Sequence, residues 1–144
     1  MTKPTTIAIL LFSLSLATTA AYSHGDVVPQ PFATTGLDSV GADWLKENPY
    51  RSKGGDQYKL AVTIGSSAYN QNCARCHGLE VKSGGLAPDL RYLEKGNAGD
   101  EWFINRIRHG YQQGGVTKMP AFEGTFSQEG MWAIRSFLDS VHEE

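Results

Sequence analysis

The chain holds two cysteines, Cys73 and Cys76, and His77 follows the second directly. The string Cys73-Ala74-Arg75-Cys76-His77 is C-x-x-C-H, the attachment signature of a c-type haem. Each thiol adds across one porphyrin vinyl group to give a thioether. The two intervening residues let both sulfurs reach one edge of the macrocycle, and His77 brings an imidazole to the iron. Three other chemistries compete. A thioredoxin-like redox pair wants a strand before the first cysteine, whereas Asp56 to Gln71 reads as a helix. A zinc site needs two further ligands, and His24, His109 and His142 form no second spaced cluster. A structural disulfide is the third.

The N-terminus bears on which chemistry applies. Lys3 precedes Ile7 to Ala17, an apolar run of eleven residues, and Thr18, Thr19 and Ala20 are small. This is the pattern of a secretory signal peptide over 1–20, cut after Ala20 or slightly later, near Ser23. The run is short against the roughly 20 residues that span a bilayer, so no membrane anchor is expected. The mature chain then lies outside the cytoplasmic membrane, where two neighbouring thiols oxidise to each other unless something consumes them. Haem attachment does so, and it retains a cofactor that otherwise diffuses away.

A second axial ligand must come from elsewhere. Beyond the leader only Met119 and Met131 remain as methionines. Met131 shares a helical face with Ile134 and Leu138 and reads as core. Met119 stands before Pro120, which confines the preceding backbone to extended shapes, so a non-helical loop can carry its sulfur across the haem face. His109 is the rival, at the end of a helical pattern closed by Gly110. A thioether opposite an imidazole raises the reduction potential and fills both axial positions. That pairing suits outer-sphere electron transfer.

Positioning these groups falls to short elements, as 16 glycines in 144 residues suggest. One domain is expected at this length. Residues 21–55 read as an arm laid over the surface, with Trp44 and Leu45 as anchors and Ser52 to Gly55 as a flexible joint. The remainder, 56–144, reads as the domain proper. Its first helix runs from Asp56, as N-cap, to Asn72. Asp100 to His109 forms a middle helix with Phe103, Ile104 and Ile107 inward. Ser127 caps a last helix running to about Val141. Gly114-Gly115 opens the distal loop, and no strand is expected. Pro88 has a free carbonyl that could accept the His77 ring N–H, a bond that would fix its tautomer. The leader holds one charged residue, Lys3, so the mature chain carries 12 basic and 15 acidic residues, a net charge of −3. That balance argues against a nucleic-acid binder.

These residues together resemble the class I monohaem cytochromes c, over about residues 56 to 142. Beside Cys73, Cys76, His77 and Met119, the chain is similar to that family at Gly65 and Tyr69, which there face the last helix, here at Ile134 and Phe137. Pro88 matches the residue that orients the proximal histidine. The lysine-dense face of the mitochondrial type is missing. The resemblance implies an all-α fold of short helices wrapped around one covalent haem c, with an extended N-terminal arm.

A narrower resemblance covers Gly36-Leu37, Asp43-Trp44, Asn48-Pro49-Tyr50-Arg51, Tyr69 to Asn72 and Trp132 to Leu138. These look like the periplasmic cytochrome c-550 proteins that accept electrons from quinoprotein alcohol dehydrogenases carrying pyrroloquinoline quinone (PQQ). It implies a periplasmic, monomeric, non-enzymatic carrier that docks transiently and passes electrons toward a terminal oxidase or another cytochrome. Two alternatives stand beside it. One is a tightly bound dehydrogenase subunit clamped by 21–55, and the other an open-site haem peroxidase or gas sensor.

Overall fold

The computed structural model describes residues 27–144. The expected leader and its cut lie outside the described residues. Within them run five helices, α1 (Pro49–Lys53), α2 (Gly55–Asn72), α3 (Ala74–His77), α4 (Gly96–His109) and α5 (Gln128–Ser140). Two 3-10 turns, Leu79–Val81 and Leu90–Tyr92, and one two-stranded hairpin, β1 (Tyr111–Gln113) and β2 (Val116–Met119), complete the elements. The architecture is predominantly helical, as the sequence suggests.

The α2–α5 crossing is the centre of the core. α5 buries Met131, Trp132, Ala133, Ile134 and Leu138, and α2 answers with Ala61, Ala68 and Tyr69. Gly65 permits the close approach, because a Cβ there would lie 2.0 Å from the Ala133 carbonyl oxygen. One turn on, the Tyr69 ring stands 5.5 Å from that of Phe137. Gly65→Ala gains helix propensity but forces the two backbones apart, and a net loss of about 2 kcal/mol is expected in chemical denaturation.

Several boundaries differ from the sequence expectation. α2 begins at Gly55 behind Gly54, with no side-chain cap, and Asp56 sits in its first turn, where a carboxylate favours the helix dipole. The supposed flexible joint is instead the end of α1, which starts with Asn48 accepting the Tyr50 N–H and Pro49 in the first turn. α4 begins four residues early, at Gly96. Its Gly99 packs against Glu94, whose carbonyl oxygen a Cβ would meet at 1.6 Å. Only glycine fits at that position, so the first turn keeps residues of poor helix propensity. The Ser127 cap holds as expected, its hydroxyl accepting the Gly130 N–H at 3.2 Å.

The expectation of no strands is corrected by the hairpin. Gly114 and Gly115 have φ of 59° and 77°, the pair of left-handed residues that a tight primed turn requires. Tyr111 pairs with Met119 and Gln113 with Val116, with an irregularity between Tyr111 and Gln112. Met119 therefore ends a strand and is not on a free loop.

Residues 27–48 wrap the helices without regular structure. Phe32 meets Phe126 edge-on at 4.9 Å and fills the space over Gly130. The Gln30 N–H donates to Asn72 Oδ1 at 2.7 Å, and the Val40 N–H donates to Glu129 at 3.1 Å. Among the described residues, no helix is long and apolar enough to cross a membrane.

Candidate functional site

α2 delivers the C-x-x-C-H segment directly. The Cys73 N–H donates to the Tyr69 carbonyl at 2.8 Å, and the Cys76 and His77 N–H groups both return to the Cys73 carbonyl. This single turn, α3, places both thiols and the imidazole on one short rigid unit. Cys73 and Cys76 are not joined to each other by a disulfide. Burial, with the neighbouring Cys76 adding to it, pushes the Cys73 thiol up to about 12.

The chain then reverses sharply. Gly78 has φ of 87°, and a Cβ there would lie 1.8 Å from the Lys82 carbonyl oxygen. The Tyr69 hydroxyl donates to the Gly78 carbonyl at 2.8 Å, tying this turn to α2. Glu80 and Val81 both have positive φ, 56° and 65°. A buried β-branched residue in that region is strained. The reversal brings Pro88 back, and its carbonyl oxygen lies 2.8 Å from His77 Nδ1. A carbonyl can only accept, so Nδ1 carries the hydrogen and Nε2 keeps a free lone pair. Burial lowers the His77 pKa, and the Pro88 bond only partly opposes it, which favours the neutral, ligating imidazole. Asp89 locks the same loop by accepting from the Ser83 N–H at 3.3 Å. The hydrogen-bonded Arg91 guanidinium holds its carboxyl at about 2.

Met119 is half-buried at the end of β2 and packs against the core edge. Its backbone is seated on the C-terminus of α4. A Cβ on Gly110 would lie 2.4 Å from the Met119 carbonyl oxygen and 2.7 Å from Pro120. The Phe122 N–H donates to the Ile107 carbonyl at 3.0 Å and that of Glu123 to Arg108 at 3.3 Å. The other candidate ligands point elsewhere. Met131 is 0% exposed, within the core. His109 is exposed, with Nδ1 3.1 Å from the Asn105 carbonyl and Nε2 3.5 Å from Glu123.

The residue types fit a large planar apolar group with a metal centre. Two cysteine side chains and one lone-pair imidazole share a turn. Segments bearing the candidate ligands also leave apolar side chains uncovered. Leu86 is 72% exposed beside Pro88, and Val116 is 55% exposed on the Met119 strand. Trp102 and Tyr111 are exposed too, with the Arg106 guanidinium 5.3 Å and 4.5 Å from their rings. A hollow of about 440 Å³ lies beside Trp102, Arg106 and Gly110.

One arrangement is not legible in the sequence. Arg108 forms a two-pronged pair with Glu123, at 3.1 and 3.0 Å, and the guanidinium holds the Glu123 carboxyl below its ordinary range. Trp44 of the arm lies over the same guanidinium at 4.0 Å. No local spacing signals contacts across such separations. Ala74, between the two cysteines, is buried at 7% exposure.

The described helices and this site define a haem-attachment domain of the cytochrome c kind. The family described as cytochrome c oxidase, cbb3-type, subunit III matches residues 60–138. Cytochrome c550 of Pseudomonas aeruginosa is 56% identical over 134 residues, covering 93% of this chain and 91% of that protein. Two Pseudomonas putida proteins, quinohemoprotein alcohol dehydrogenases ADH-IIG and ADH IIB, are 31% and 33% identical over 78 and 79 residues. Those matches span 54% and 55% of this chain but only 10% and 11% of the dehydrogenases. No solved structure matches significantly. The chain belongs to the class I monohaem cytochromes c. Within that class it stands with cytochrome c550, as a periplasmic electron carrier related to quinoprotein alcohol dehydrogenase systems.

Proposed function

We propose that this protein is a soluble carrier of single electrons from a PQQ-dependent alcohol dehydrogenase toward a terminal oxidase or another cytochrome. Cys73 and Cys76 hold one haem c by thioethers, and His77 and Met119 are its axial ligands. When bound, haem c supplies a one-electron iron couple. The chain does the rest. The Pro88 carbonyl fixes the His77 tautomer, leaving Nε2 as the donor atom. The neutral Met119 thioether favours the reduced form and closes the sixth position. Residues 1–20 are the signal peptide, 21–55 the arm and 56–144 the cytochrome domain. The protein acts as a monomer with a small, transient interface.

The observation that carries this reading is the double similarity. The chain is like a free cytochrome c550 over nearly its whole length and like a tenth of two quinohemoprotein alcohol dehydrogenases. Mixing the oxidised protein with an alcohol-reduced PQQ dehydrogenase tests it. Fast, saturable reduction is expected, two equivalents of carrier per alcohol. No reduction above the rate with a small-molecule acceptor overturns it. A stable stoichiometric complex at high salt favours the bound-subunit alternative.

Ala121, exposed just beyond Met119-Pro120, belongs to the contact surface. Ala121→Glu is expected to slow transfer about 3- to 10-fold, chiefly through association, with the visible spectrum unmoved. Stopped-flow reduction at two ionic strengths checks it.

A further inference from the structure

The chain just beyond Met119 is tied down by contacts outside the hairpin. Pro120 and Ala121 make no regular pairing after β2 ends, and the chain is retied to α4 only at Phe122 and Glu123. Arg108 is the α4 residue that performs the second tie twice over. Its backbone carbonyl accepts the Glu123 N–H, and its guanidinium grips the Glu123 carboxylate. A surface pair of this kind is weak when its side chains are free to move. Here the Arg108 side chain is only 20% exposed, and the Trp44 indole lies over its guanidinium at 4.0 Å.

Trp44 is itself held by a bracket. Gln128, the first residue of α5, is 8% exposed. Its Nε2 donates to the Asp43 carbonyl at 3.0 Å, and its Oε1 accepts the Leu45 N–H at 2.7 Å. The peptide groups on both sides of Trp44 are thus pinned by one buried amide. Trp132 Nε1 fixes that amide by donating to the same oxygen at 3.2 Å. The series from α5 through Gln128, the arm, Trp44, Arg108 and Glu123 ends four residues beyond Met119.

We infer that Trp44 is a positioning residue, through which the N-terminal arm holds the Met119 segment in place. This gives the arm a role in the electron-transfer site itself, beyond covering the core. The inference rests on Met119 being the sixth ligand, as proposed above.

The test uses the full mature holoprotein and free imidazole as a competing ligand for the ferric form. Trp44→Ala is expected to raise imidazole affinity about three- to thirty-fold, the range set by a partly desolvated cation–π contact. Trp44→Phe keeps an aromatic face and is expected to return most of that change. Gln57→Ala is the control. Gln57 holds the arm elsewhere, accepting from the Asp38 N–H at 2.8 Å and donating to the Gly36 carbonyl at 3.0 Å. It is expected to leave imidazole affinity at the wild-type value even where it lowers the melting temperature. Wild-type affinity in Trp44→Ala, or an equal rise in Gln57→Ala, overturns the inference and makes the arm a general stabiliser. A wild-type protein lacking the near-infrared methionine-to-iron band overturns the ligand assignment instead, and the inference with it.

Discussion

Met119→Ala is expected to abolish the near-infrared sulfur-to-iron band and admit carbon monoxide to the reduced protein. It should also lower the reduction potential on the order of 100 mV or more, within the roughly 0.8 V that axial ligands span. The thioether is neutral and soft, and on the proposed ligation its removal takes away the ligand that favours the reduced form. Reduction by an alcohol dehydrogenase then loses driving force, and the closed sixth position becomes an open one. Optical spectra, a redox titration and carbon monoxide binding check these outcomes on one preparation.

Two comparison variants make this result specific. Met131 is fully buried against α2, so Met131→Ala should cost about 2–5 kcal/mol of stability while the band survives. His109→Ala should change neither band nor potential, because that ring already contacts Asn105 and Glu123 on the surface. A band that survives Met119→Ala but disappears in either other variant would reassign the ligand. Carbon monoxide binding to the unaltered reduced protein would move the weight to an open-site enzyme or sensor.

What the sequence could disclose depended on range. The C-x-x-C-H turn and the Ser127 cap are encoded by local spacing, whereas the Gly65/Tyr69 pairing with α5 is what the resemblance to the class I cytochromes c implies. The structure carries the helices and the Gly65 contact essentially there. The hairpin had a local signal too, in Gly114-Gly115 between Tyr111 and Val116, but its strands are three and four residues long with fully polar interiors. An apolar periodicity test has nothing to detect in them. The first turn of α4, with Gly96 and Gly99, has a poor intrinsic helix propensity, and Gly99 is required there because a Cβ would collide with the Glu94 carbonyl. The course of the arm is set by contacts such as Leu45 to Gln128, 83 positions apart. No periodicity encodes these, and the same holds for the buried charge at the centre of the molecule.

That charge is Asp100, and its loss should have the largest effect on stability. The side chain is fully buried on α4. Its Oδ2 accepts from Arg51 Nη1 at 2.7 Å and from the Asn48 N–H at 2.8 Å. Its Oδ1 accepts from Arg135 Nε at 2.7 Å and Arg51 Nη2 at 2.8 Å. One carboxylate thus joins the arm's end, α1, α4 and α5. Arg135 is 1% exposed, so Asp100→Ala strands a cation in the core as well as removing these bonds. Breaking a buried pair from one side costs roughly 3–5 kcal/mol. Arg135 keeps Asp139 at 3.3 Å and the Glu94 carbonyl as partners, which limits the loss to that range. Burial alone disfavours the ionised form of Asp100. The hydrogen bonds from Arg51, Asn48 and Arg135 outweigh it and leave the pKa below the ordinary carboxylate value. A depressed folded pKa makes the stabilisation complete above the unfolded value, about 4. It is then lost as pH falls from there through the folded pKa. Urea midpoints of the wild type should therefore fall steeply below about pH 4, and those of Asp100→Ala should start lower and fall less. Parallel slopes in the two proteins would show that other carboxylates carry the acid transition.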